Sequence, residues 1–191
     1  MNHRTATVTL VLAMLACGSS SAAQYRQVNP SASQVSFTYN QMGARVYGTF
    51  SRFEATIDFD STNPSAAHAG IIIELTSIDA GNPDANSELQ KPGWFDTAVY
   101  PQARFESQSV TALGDNLYQV DGQLTLKGLT REVGARIALK PESGIGIFDG
   151  TFILKRGDFN IGDGEWADYG VVSNEINIRF RVVAPEQEVS R

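Results

Sequence analysis

The chain has 191 residues, of which 42% are hydrophobic and 19% charged; this is the profile of one globular domain with a tail, neither disordered nor wholly membrane-embedded. Its formal charge is −6, or −7 (14 basic against 21 acidic residues) without the first 23 residues, which hold Arg4 and no acid; such a chain lacks the clustered Lys and Arg that nucleic acid demands. Cys17 is the sole cysteine and His3 and His68 the sole histidines, so a chain cut after residue 23 has no disulfide, no Cys–His catalysis and no His/Cys metal set.

Residues 1–23 read as a signal peptide. Arg4 is the positive start, and Ala6 to Ala16 form an apolar run broken only by threonines. That run is too short to cross a bilayer, which takes about 20 residues, but it suits the core of an export signal. Ser21-Ala22-Ala23 supplies small residues before a cut at Gln24. A second processing route stays open, because Met14-Leu15-Ala16-Cys17-Gly18 is similar to a bacterial lipobox, with Met14 where leucine is expected. Lipidation at Cys17 would tether the protein to a membrane.

The body reads as about eight strands with period-2 alternation. Val35, Phe37 and Tyr39 precede a Met42-Gly43 turn. Val46, Gly48 and Phe50 begin a run that continues through Ile57 and Phe59. Ile71, Ile73 and Leu75 form the next. A short helix is predicted from Pro83 to about Gln90, with Asn82 as cap, Pro83 at the first position, Asp84 in the first turn and Pro92-Gly93 as the stop. Ala103, Phe105 and Ser107 resume the alternation. Tyr118, Val120, Gly122, Leu124 and Leu126 share one face of Leu117–Leu126. Beyond Lys127-Gly128, Val133, Ala135, Ile137 and Leu139 do the same, which makes a hairpin. Phe148, Gly150, Phe152 and Leu154 follow, then Val172, Ile176, Ile178, Phe180 and Val182. Connections are too short for parallel crossovers, so the sheet is antiparallel, as a closed barrel or a two-sheet sandwich. Gly48, Gly122 and Gly150 on the apolar face either leave a cavity or relieve twist. The polar tail begins at Pro185.

Several ordered motifs resemble one family. They are Val46-Tyr47-Gly48-Thr49-Phe50-Ser51-Arg52-Phe53, Ile57-Asp58-Phe59-Asp60, Leu89 with Trp94-Phe95-Asp96, and Tyr100-Pro101-Gln102-Ala103-Arg104-Phe105. Gly122-Gln123-Leu124-Thr125-Leu126-Lys127-Gly128-Leu129-Thr130 and Arg156-Gly157-Asp158-Phe159 complete the set. In this order the chain resembles the YceI-like family of bacterial periplasmic lipid-binding proteins over Tyr25 to Val183.

The resemblance implies an all-β, lipocalin-like barrel of eight antiparallel strands over residues 24–184, with one short helix inserted and a flexible tail at 185–191. It implies a long-chain isoprenoid or similar lipid, polyisoprenoid or quinone-like, bound in an apolar tunnel. It implies no catalysis and no cofactor beyond that lipid. Transient membrane contact fits this reading, and a dimer stays open although no residue pattern demands one; the alternative is a barrel with a filled core that serves as an interaction module of the cell envelope. The expected ligand-binding lining is Phe37, Tyr39, Phe50, Phe53, Phe105, Tyr118, Val120, Leu124, Ile137, Phe148, Phe152, Ile176, Ile178 and Phe180. Trp94 and Phe95 complete the expected ligand-binding set, and either gate one end or plug it. Arg45 and Arg156 are head-group candidates, more often solvated or paired with surface acids. Asp158, Asp163, Glu165 and Asp168 lack EF-hand spacing and read as a solvated turn rather than a calcium site.

Overall fold

The computed structural model describes residues 23–187. The remainder of the expected signal peptide, including Cys17, and the last four residues lie outside the described residues. The strands are β1 (Gln24–Tyr25), β2 (Gln34–Gln41), β3 (Ala44–Phe50), β4 (Phe53–Asp60), β5 (His68–Glu74), β6 (Ile78–Asp79), β7 (Gln102–Gly114), β8 (Leu117–Leu126), β9 (Leu129–Glu142), β10 (Ile145–Lys155) and β11 (Glu175–Gln187). One helix, α1 (Pro83–Leu89), lies between β6 and β7.

Eight strands close into an antiparallel barrel in the order β1–β4–β5–β7–β8–β9–β10–β11, with β11 returning to β1. β11 is long enough to pair with β2 along its N-terminal half and with β1 at its C-terminal end. From it, β2, β3 and β6 extend as a branch of the same sheet. Closure runs through the two residues of β1, which pair with β4 on one side and β11 on the other. Four two-residue turns, Met42-Gly43, Asp115-Asn116, Lys127-Gly128 and Ser143-Gly144, have positive φ at both positions, the geometry that matches strand twist in tight hairpins. In α1, the Asn82 side chain accepts from the Ala85 N–H at 2.8 Å, and Pro83 occupies the first turn, as predicted.

Three expectations change. The run from Val46 to Phe59 is two strands, because the chain turns a corner at Ser51-Arg52, where both N–H groups donate to Ser77. The inward phase moves there from even positions (Gly48, Phe50) to odd ones. β7 runs on to Gly114 because a register shift between Ser107 and Ser109 restores Val110 to the inside. Pro185 to Gln187 are not a loose tail: they belong to β11, where Glu186 and Gln187 pair with Tyr25 and Gln24. Two residues of β1 could not announce themselves by alternation, yet they bridge β4 and β11. Tyr25 is fully buried, with its ring edge-on to Phe148 at 5.3 Å.

On the outer face, Asp149 of β10 accepts from Arg181 of β11 at 2.7 and 2.9 Å and from Lys140 of β9 at 2.9 Å. The Arg181 hydrogen bond chiefly holds its carboxyl down to about 2, with Lys140 adding to the effect. A depressed carboxylate pKa stabilises the fold above the unfolded value and loses that contribution as pH falls through the folded one. Both partners are about half exposed, so solvent screening trims the stabilisation to about 1 kcal/mol. Asp149→Asn is therefore expected to cost about 1 kcal/mol in urea unfolding at neutral pH. That difference should disappear between about pH 4 and pH 2.

Candidate ligand-binding cavity

Inward-facing side chains pack as two clusters. Tyr25, Phe59, Tyr118, Ile137, Leu139, Phe148 and Ala184 fill one end of the barrel. Leu75, Ile78, Trp94, Leu126, Phe159, Ile161 and Val172, largely from connecting segments, cover the other. Phe105, Phe152 and Phe180 touch both clusters. Between the clusters lies a cavity of about 760 Å³, within the range of sites that bury a small ligand.

Of the expected lining, Phe37, Tyr39, Phe50, Trp94, Phe95, Phe105, Tyr118, Val120, Leu124, Ile137, Phe148, Phe152, Ile176, Ile178 and Phe180 all face this space. Phe53 does not; it packs against the core beside the Ser51-Arg52 corner. The wall also contains Ile57, Ile71, Ile73, Val133, Ala135 and Leu154. These share the inward phase of their strands, so alternation alone could have named them. Ile161, Trp166 and Val172 line it too, from the loop between β10 and β11; Val172, expected in the last strand, precedes β11 and makes only an isolated bridge to Gln41.

The inward glycines do not create the void. In register, Gly48 faces Phe37 and Gly150 faces Phe180. An ideal Cβ on Gly150 would fall 2.6 Å from Ile137 Cδ1 and closer still to the Phe180 ring, and one on Gly122 would meet the Phe105 ring at 2.7 Å. Each aromatic ring covers a glycine and lies along the wall.

Arg156 is the largest correction. It is neither solvated nor paired with an acid: it is 1% exposed. Its Nε donates to the Ser173 carbonyl (3.2 Å), Nη1 to those of Ile161 and Gly162 (both 2.8 Å), and Nη2 to those of Trp166 (2.7 Å) and Val172 (2.9 Å). All five guanidinium N–H groups are used. Its charge also faces the Trp94 and Tyr169 rings, 5.7 and 4.8 Å from their centroids. Burial lowers its pKa, and Tyr169 opposes that shift. With every donor engaged, Arg156 has none left for a ligand head group; it gathers the 156–174 loop over the barrel end. Arg45 is exposed on β3, apart from the cavity wall.

The segment after α1 packs on that loop. Gly93 accepts from the Gly162 and Asp163 N–H groups at 2.8 and 3.1 Å, and Trp94 lies 5.7 Å from Trp166. Trp94 and Phe95 thus sit in a cover tied down by backbone hydrogen bonds. Polar side chains on the lining include Gln41, Thr56, His68, Asn82, Asp84 and Glu88. Among the described residues, no three of His, Cys, Asp and Glu gather as a metal set. Asp168 accepts from the Gly170 N–H within its own turn.

Residues 27–184 match the family model described as the YceI-like domain. The protein YceI of Escherichia coli is 32% identical over 189 residues, covering 95% of this chain and 96% of the relative. The chain belongs to the YceI-like domain family. Among solved structures, Burkholderia cenocepacia BcnA is 35% identical, with a TM-score of 0.81 over 83% of this chain and 99% of that one. A polyisoprenoid binding domain from Saccharophagus degradans, implicated in plant cell wall breakdown, superposes with a TM-score of 0.68 over 86% of this chain and 99% of that one, at 16% identity. The likeness to this last domain is one of fold alone. Within this YceI-like domain, the barrel, its short helix and the loops after that helix and after β10 together wall the cavity.

Proposed function

We propose that this YceI-like protein binds the hydrocarbon tail of an isoprenoid-type lipid inside the barrel, and carries or sequesters it in the periplasm without acting on it chemically. The observation that carries this reading is the cavity, walled by aromatic and aliphatic side chains from both core clusters. The polyisoprenoid binding of the structurally similar Saccharophagus degradans domain agrees with it. The signal-like sequence of residues 1–23 supports export, with Cys17 as an alternative lipid anchor.

The physics needs little polar recognition. Each CH₂ moved from water into the tunnel contributes about 0.8 kcal/mol. Ordering the tail and desolvating the mouth subtract from the sum.

Delipidated protein titrated with prenols of increasing length, followed by tryptophan fluorescence, tests this reading. Each added isoprene unit is expected to tighten binding by about tenfold until the tunnel is full. Affinity independent of chain length would contradict tail burial.

A further inference from the structure

One polar group in the cavity wall is left over. Trp94 is 6% exposed and lines the cavity, yet its Nε1–H is buried without a hydrogen-bond partner. A buried unpaired N–H is costly and rare. Glu88 of α1 lines the same space. One of its oxygens accepts from Trp166 Nε1 at 3.3 Å and the other from Lys91. Lys91 chiefly holds the Glu88 carboxyl below its usual range. Trp94 sits on the same patch of wall, its ring 5.7 Å from that of Trp166, the indole that donates to Glu88, yet its own N–H makes no hydrogen bond.

We propose that Trp94 and Glu88 form a head-group site for a neutral hydroxyl, which accepts from the Trp94 N–H and donates to the Glu88 carboxylate. This rests on the reading that the cavity takes a lipid tail. A hydroxyl is both donor and acceptor, so it satisfies both residues at once. A carbonyl head group would meet Trp94 and leave its own lone pairs facing a carboxylate. A phosphate would meet like charge: Asp84 and Glu88 on the wall, Asp163 against Gly93, and Glu165 beside Lys91. The nearby cations do not offset this, since Lys91 is paired with Glu88 and every Arg156 N–H is occupied. The site therefore selects an alcohol over its phosphorylated form.

Calorimetric titration with three ligands sharing one geranylgeranyl chain tests the proposal: the alcohol, the diphosphate and the unsubstituted hydrocarbon. The wild-type protein should bind the alcohol at least about tenfold more tightly than the diphosphate. Trp94→Phe keeps the ring and removes the N–H; it should weaken the alcohol by about tenfold and leave the hydrocarbon unchanged. Glu88→Gln, on the partly exposed helix, should narrow the gap between alcohol and diphosphate. Diphosphate binding as tight as the alcohol, or a Trp94→Phe effect equal on all three ligands, would overturn the site. Failure of all three to bind, hydrocarbon included, would instead overturn the tail-binding reading itself and this site with it.

Discussion

Arg156→Met is expected to cost about 3–5 kcal/mol of unfolding free energy, a large share of the stability of a domain this size. Methionine matches the aliphatic stem and supplies no donor. Five carbonyls, of Ser173, Ile161, Gly162, Trp166 and Val172, then lose their partner together. Buried acceptors left unpaired carry their full desolvation penalty. Lysine should not rescue the fold. Its three donors radiate from one nitrogen, whereas the guanidinium fork reaches carbonyls spread over residues 161–173. Urea unfolding of wild type, Arg156→Met and Arg156→Lys measures this. A loss under about 1 kcal/mol for Arg156→Met would show that the loop is held by other contacts.

Ala135→Trp is expected to weaken prenol binding at least about a hundredfold, equivalent to about 2.7 kcal/mol, while leaving stability unchanged or slightly raised. Ala135 is buried on β9, opposite Val120 of β8, and both line the cavity. An indole at this position projects into the space a tail would fill. Filling an apolar void recovers contacts that its lining lacks. In a barrel whose interior was already packed, the same substitution would overpack the core and cost about 1–3 kcal/mol. The pair of readouts, affinity by fluorescence titration and stability by urea unfolding, therefore separates an open tunnel from a filled core. Lost stability with unchanged binding would place the ligand elsewhere.

Much of this fold is written locally. The face of Tyr118, Val120, Gly122, Leu124 and Leu126 emerges on the inside of β8 as alternation predicts, because a strand's side-chain period is fixed at two. The Met42-Gly43 and Lys127-Gly128 turns and the Asn82 cap follow from single residues whose backbone preferences are strong. Features that depend on distant partners were not legible. The Ser51-Arg52 corner is set by Ser77, and the two-residue β1 exists only because β4 and β11 both have room to pair with it. Gly150 reads equally well as space or as strain relief until Phe180 is known to face it in register. Arg156 shows the limit most clearly. An arginine one residue past a strand resembles any surface cation, and only the folding back of residues 161–173 turns it into a buried hub.

The cavity itself follows from many inward residues together, since tunnels and cores draw on the same side chains. Trp94 and Phe95 were marked by their position after the helix stop. Trp166 and Ile161 carry no such mark, and reach the wall only through the loop that Arg156 gathers.

The most direct test of a lipid-holding barrel is native mass spectrometry of the protein isolated from its own cells without detergent, with solvent extraction of the same sample. The account predicts a stoichiometric extra mass that leaves on extraction as a long-chain amphiphile. A bare mass that stays bare after incubation with polyprenols would contradict it.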